Sequence, residues 1–325
     1  MHTPLYRQAA HHAWKLVWKD KWLWVFGLFA AFLGQLGIAE FLTKVFFATS
    51  DVHVYLRTVG IFPAQVADLP DTVAAFDTRI TFIWLLVVLL TLGIGMLFVA
   101  VVSHGTIIQA TAQSVRRSKQ LPDLGMAWHA SVGHFWRLLS ISVLKKLLLI
   151  GLAVVVSSAA FAALEEASVS GSLLFLITFV LSGIVGLVVS FLVVYAAGYV
   201  VVEEYPLARA IAAAWRLFVG HWLVSVEVGL LVLLFNVLAA LAMFVGFVVF
   251  FLPAMLLWLL AAVVGSQMLT VLGLVLAVVL FTAFVMVLGA FFTVFTTAIW
   301  MYLFMKMHKN GIPSRIHHWL TFKHA

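Results

Sequence analysis

Cysteine is absent from all 325 residues, which excludes disulfides, thiolate metal sites and a cysteine nucleophile. Charge is nearly as scarce. Asp, Glu, Lys and Arg make up 10% of the chain against 65% apolar residues, where a soluble domain carries about 25% charged and about 45–50% apolar. So few charges cannot clothe a water-facing surface, and the mean hydropathy is +1.17. The chain is expected to be an integral membrane protein. Catalytic signatures are missing as well. There is no G-x-S-x-G, and Ser157 and Ser158 stand in an apolar run without a neighbouring His or Asp. No histidine falls into H-E-x-x-H or another ligand spacing with carboxylates, so His317 and His318 offer at most adventitious metal binding. No glycine-rich phosphate loop occurs, so no cofactor is expected, and ATP-driven transport would need a partner chain.

What the chain does have is long apolar runs. A span takes about 20 apolar residues, because a helix rises about 1.5 Å per residue through about 30 Å of hydrocarbon. Six stretches qualify: 22–40, 80–102, 137–163, 172–202, 222–250 and 268–305. The first lacks a small-residue cleavage site and reads as a retained span rather than a signal peptide. Segment 41–79, with Pro63, Pro70 and several acids, is expected to be an external loop. Pro253 is expected to end the fifth span, since a mid-helix proline removes a hydrogen bond. It would then open a short apolar segment, 254–264, on the outer face.

Basic residues orient the spans. Of the 19 Lys and Arg, 16 fall on one side, and only Lys44, Arg57 and Arg79 on the other, beside most of the acids. The rich side is the cytoplasmic one, with both termini inside a bacterial inner membrane and residues 306–325 as a basic cytoplasmic tail. The net charge of +7 is thus a topology signal. It excludes no anionic lipid but gives no support to nucleic-acid binding.

Three phrases echo one another: AWKLVWKDKW (13–22), AWHASVGHFW (127–136) and AWRLFVGHW (214–222). Each follows a proline (Pro4, Pro122, Pro206) and precedes an odd-numbered span. Proline suits the first turn of a helix, where its missing N–H has no partner to lose. Trp and His, each with an apolar body and a polar edge, rest at headgroup depth. The pattern reads as three tandem pseudo-repeats, 1–103, 104–200 and 201–305, each an interfacial helix followed by a helical hairpin. Trp14, Trp22, Trp128, Trp136, Trp215 and Trp222 are the expected interfacial anchors. In the third copy, Leu207, Ile211, Ala214, Trp215 and Phe218 recur at helical spacing on one face, with Arg209 and Arg216 elsewhere. The fold class is therefore all-α, a single six-span membrane domain over 1–305 with three cytoplasmic interfacial helices.

WLWVFGLFAAFLG in the first span, SHGTIIQATAQSVRRSK after the second and VVEEYPLARAIAAAWRLFVGHW before the fifth resemble a group of six-span bacterial membrane proteins. That group is related to the membrane domain fused to some glycerophosphodiester phosphodiesterases. The resemblance covers about 10–305 and implies a helical membrane fold. It implies no phosphodiesterase activity, because the spans consume the chain and leave no room for a soluble catalytic domain.

Charged residues within spans are the sharpest clues, since inserting one costs about 2.5–3.5 kcal/mol. Glu227 lies early in the fifth span, and Lys145 and Lys146 lie somewhat deeper in the third. Asn236 falls near mid-membrane, with Gln35 and Ser182 as polar company. Glu227 paired with a lysine would fix helix packing, the simpler reading. The alternative is a polar, cytoplasm-facing cavity for a lipid headgroup or small polar solute. Adjacent Glu203 and Glu204 project about 100° apart and are expected to favour the helix start at Pro206. Two functions follow: a non-enzymatic protein that binds lipids, anionic ones among them, or a membrane-protein partner or second copy; or a transporter or channel for a small polar solute or lipid. The orientation is directly testable because the chain has no native cysteine. Asp68→Cys should react with a membrane-impermeant maleimide added outside intact cells, and Ser314→Cys only after permeabilisation.

Overall fold

The computed structural model describes residues 5–34, 78–116, 122–166 and 169–310, and these are helical almost throughout. In chain order the helices are α1 (Leu5–Lys19), α2 (Leu23–Gly34), α3 (Thr78–Arg116), α4 (Leu124–Gly133), α5 (Phe135–Glu166), α6 (Val169–Val202), α7 (Leu207–Gly220), α8 (Trp222–Val264) and α9 (Gln267–Asn310). Among the described residues, five helices are long and apolar enough to cross a membrane: α3, α5, α6, α8 and α9. The first expected span, 22–40, is described only to Gly34. Gln35, the 41–77 part of the external loop and most of the basic tail lie outside the described residues.

Each short helix (α1, α4, α7) leads directly into a helix that packs against the next one along, giving the pairs α2–α3, α5–α6 and α8–α9. The corners follow from the echoed phrases. In VGH at 132–134 and again at 219–221, the histidine separates the short helix from the long one. The His134 Nδ1 lies 2.7 Å from the Ala130 carbonyl, and the His221 Nδ1 lies 3.3 Å from the Leu217 carbonyl. At 134 an imidazole N–H donating there satisfies a carbonyl that the ending helix leaves free, and at 221 it shares the Leu217 carbonyl with the histidine's own backbone N–H. Asp123 caps α4, its carboxylate accepting from the Met126 N–H at 3.0 Å. At the first corner Asp20 replaces histidine, and the Trp24 indole N–H donates to the Val17 carbonyl at 3.0 Å, tying α2 back to α1.

The core gathers at the end of the bundle that carries the short helices. Ala9, Ala13 and Val17 of α1, Ile107 and Ile108 of α3, Tyr195 and Val200 of α6, Ala210 and Ala214 of α7, and Val294, Ile299 and Phe304 of α9 are all fully or nearly fully buried there. Toward the other end the α5–α6 and α8–α9 pairs expose Leu, Val and Phe on nearly every side. Water would not tolerate that surface, but lipid does, since chain ends and side chains are then equally apolar.

One expectation is corrected. Helix α8 does not end at Pro253; it continues to Val264, so 254–264 belongs to the helix and forms no separate outer segment. The reason lies in the flanks, FVVFFLPAMLLWLL, which hold nothing polar to cover a freed backbone. Proline removes one hydrogen bond, whereas a turn there would strip several backbone groups inside hydrocarbon. The helix stops instead at Gly265, whose φ of 71° is the left-handed geometry glycine takes without a Cβ clash. On α7 the inward face is Ala210, Ala213, Ala214 and Leu217. Trp215 points out, half exposed, and Leu207, Ile211 and Phe218 flank the buried stripe.

Helix α2 approaches α9 closely at Gly27, where an added Cβ would meet the Ala290 carbonyl oxygen and, at 2.6 Å, the Val294 Cγ2. The obstacle is backbone and cannot swing aside. Gly27→Val should therefore cost about 1–3 kcal/mol, read as a lower unfolding temperature from tryptophan fluorescence in detergent. Gly151→Val, at a position with open space around it, should stay within about 0.5 kcal/mol of wild type.

Candidate intramembrane cleft

A cavity of about 500 Å³ lies between α3, α5, α6, α8 and α9, within the roughly 300–1,000 Å³ of small-ligand sites. Its polar lining comes from His104 (α3), Lys145 (α5), Ser190 (α6), Asn236 (α8), and Thr296 and Thr297 (α9). Counting about 1.5 Å per residue from the short-helix end, Lys145 lies about 15 Å in, His104 and Ser190 about 18 Å, and Asn236 about 21 Å. They form one layer near the middle of a hydrocarbon slab about 30 Å thick. Phe191, Val226, Trp300 and Met301 supply apolar wall.

Helices α6 and α8 flank the opening. They meet near the short-helix end, where the Tyr195 and Ser225 hydroxyls share a buried hydrogen bond of 2.7 Å and Phe191 lies against Gly229. Beyond that they pack on α5 and α9 rather than on each other. The residues that line the cavity there remain exposed: Leu187 at 51%, Leu230 at 61% and Leu233 at 57%. The cleft thus opens sideways between leucines, onto the surface that faces lipid.

The hydroxyls and the nitrogens of the cleft play different parts. The Ser190 Oγ donates to the Gly186 carbonyl at 2.9 Å, and the Thr296 Oγ1 to the Phe292 carbonyl at 2.8 Å. Their protons are engaged on their own helices, which leaves lone pairs for the cavity. Lys145 and Asn236, with an N–H of His104, are the available donors.

Lys145 and Asn236, both singled out from sequence, come together here. Lys146 and Ser182 do not line the cleft. The expected ion pair is not formed: among the described residues, neither Lys145 nor Lys146 makes a salt bridge to Glu227. The Glu227 Oε1 is enclosed without a hydrogen-bond partner. Five residues into α8, it sits outside the polar layer. His104, Ser190, Thr296 and Thr297 were missed. The signal for His104 was there, because 100–112 holds no Asp, Glu, Lys or Arg and the helix runs on through it to Arg116.

Glu203 also acts otherwise than expected. It bridges α3 and α9 at the short-helix end, its Oε1 lying 3.7 Å from both the Arg116 Nη2 and the His308 Nε2. Tyr199 joins this cluster at 3.4 Å from the His308 Nδ1. Glu204 takes a left-handed φ of 57°, and the Arg137 Nη1 donates to its carbonyl at 3.3 Å. Five of the six tryptophan anchors are exposed at the same end, Trp22 and Trp136 by 72% and 75%. Trp128 instead packs on Phe26 with ring centroids 5.7 Å apart.

The chain matches no protein-family model, and comparison with curated proteins and with solved structures gives no significant match.

His12 ties α1 to α3 through a 3.0 Å hydrogen bond between its Nε2 and the Ser114 Oγ. Burial first, then the charges of Lys15, His11 and Lys306, hold its imidazole below the usual histidine range. The folded state thus resists a proton that the unfolded chain accepts. Stability is whole above the ordinary histidine value of about 6.5 and is lost as pH falls below it. The unfolding temperature should drop between pH 7.5 and pH 5.5, and His12→Gln should flatten that drop.

Proposed function

We propose that the protein is a non-enzymatic membrane protein that binds a membrane lipid in the cleft, taking it from the side between α6 and α8. The single observation that carries this reading is the opening itself, with leucines at its lip and a polar layer at its floor. A water-soluble solute would have to cross the exposed leucines to enter. An amphiphile enters with its chain against them and its headgroup inward, so both halves of the ligand meet their like. The rest of the architecture supports the reading. Short helices with exposed tryptophans act as interfacial anchors, holding three tandem pseudo-repeats upright with both termini cytoplasmic in a bacterial inner membrane. Kinship with the membrane domain of certain glycerophosphodiester phosphodiesterases belongs to the same proposal.

The mid-depth position of the polar layer favours a second reading, movement of lipid between leaflets, because a headgroup held there has already left one interface. A substitution that fills the cleft separates binding from bulk solvation. Leu233→Trp should lower the number of lipids that stay bound in native mass spectrometry, with an unchanged unfolding temperature. Leu241→Trp, on the lipid-facing surface beyond the cleft, should retain the wild-type number. Equal retention in both variants would sink the reading. In proteoliposomes, faster flipping of a fluorescent lipid by wild type than by Leu233→Trp would select the transport form.

A further inference from the structure

The geometry points to an anionic headgroup, phosphate- or carboxylate-bearing, as the ligand of the polar layer, with Lys145 as its counter-ion. This rests on the reading of the cleft as a lipid site and adds the chemistry it selects. A charge within a span is ordinarily paired, because hydrocarbon makes an unpaired one costly. Lys145 lacks such a partner among the described residues. The cleft has no carboxylate in its lining, and Glu227, the one acid within α8, makes no salt bridge with it. The site therefore presents an uncompensated ammonium, and what is missing from it is an anion.

The remaining groups fit the same ligand. His104 and Asn236 add N–H donors to that of Lys145, and each comes from a different helix, so they converge on the cavity from α3, α5 and α8. Ser190 and Thr296 have given their protons to helix carbonyls and present oxygens that suit the hydroxyls of a polar headgroup. A zwitterionic headgroup would bring a second cation to a site that already holds Lys145 and has no carboxylate to receive it. The lateral opening between Leu187 and Leu233 lets the acyl chains remain in the bilayer while the anion reaches the lysine.

The test uses the full-length protein equilibrated with mixed phosphatidylcholine and phosphatidylglycerol vesicles, extracted gently and weighed by native mass spectrometry. Wild type should retain phosphatidylglycerol in preference to phosphatidylcholine. Lys145→Gln should cut that preference at least about tenfold, the scale of a lost hydrogen-bonded charge, and Lys145→Met should match it. Lys145→Arg should stay within about threefold of wild type, and Lys146→Gln should leave it unchanged. Wild type that holds both lipids equally, or Lys145→Gln and Lys145→Met that both keep the preference, would overturn the assignment while leaving a lipid in the cleft. Retention of no lipid at all by wild type would instead fail the lipid reading itself. Displacement of phosphatidylglycerol by millimolar inorganic phosphate would show a free anion, not a lipid, as the natural occupant.

Discussion

Hydrocarbon offers no hydrogen bonds, and every polar atom in the spans must find its partner inside the protein. Most do so within their own helix. Thr106 donates to the Val102 carbonyl, Thr111 to Ile107, Ser142 to Leu138 and Ser190 to Gly186, each reaching back one turn to an oxygen already at hand. Such bonds cost nothing in assembly and leave helix surfaces free to pack by shape. Where packing is tight it relies on small residues: Ala9 and Ala13 in α1, Ala210 and Ala214 in α7, and Gly27 against the backbone of α9. The same rule makes departures informative. The Glu227 Oε1 and the Ser103 Oγ are enclosed without partners, and Lys145 faces a cavity in place of a carboxylate.

Much of the fold was legible from sequence because the signals were coarse ones. Runs of apolar residues set out the long helices, and proline with the Trp- and His-rich phrases set out the short ones and their corners. What could not be read was phase. A helix apolar on every side carries no stripe to say which face meets a neighbour, so neither the separation of α6 from α8 nor the sideways opening left a mark in the sequence. The stripe on α7 was only partly legible for a related reason. Spacing joins Ala214 to Leu207, Ile211, Trp215 and Phe218, whereas the inward stripe is alanine with Leu217, which allows close approach, and Trp215 faces outward. Pro253 misled because its local cost was weighed without the larger cost of exposing backbone around it.

The candidate site was legible in proportion to charge. Lys145 and Asn236 stood out because polar residues are rare in these spans, and the structure brings both to one cavity. Pairing was harder, since it depends on which helices are neighbours. Glu227 was assigned to a lysine and Glu203 to a helix terminus, yet Glu203 found Arg116 and His308 across the bundle, contacts between residues about ninety or more positions apart in the chain. His104 was hidden by a boundary drawn too early. Hydropathy falls where α3 passes from lipid into the packed core, and that fall resembles a span end although the helix continues.

Helix α8 is 43 residues long and α9 is 44, so this apolar pair measures about 65 Å from end to end. Laying it within a slab about 30 Å thick takes a tilt near 60°, well past the roughly 40° that spanning helices adopt. The pair is therefore longer than the slab, and the mismatch is shared among tilt, bending and thickening of the lipid around it. Each ångström of mismatch carries an elastic penalty of a fraction of a kcal/mol. Length alone thus makes the thickness of the surrounding bilayer a term in the energy of this fold, before any side chain has recognised a partner.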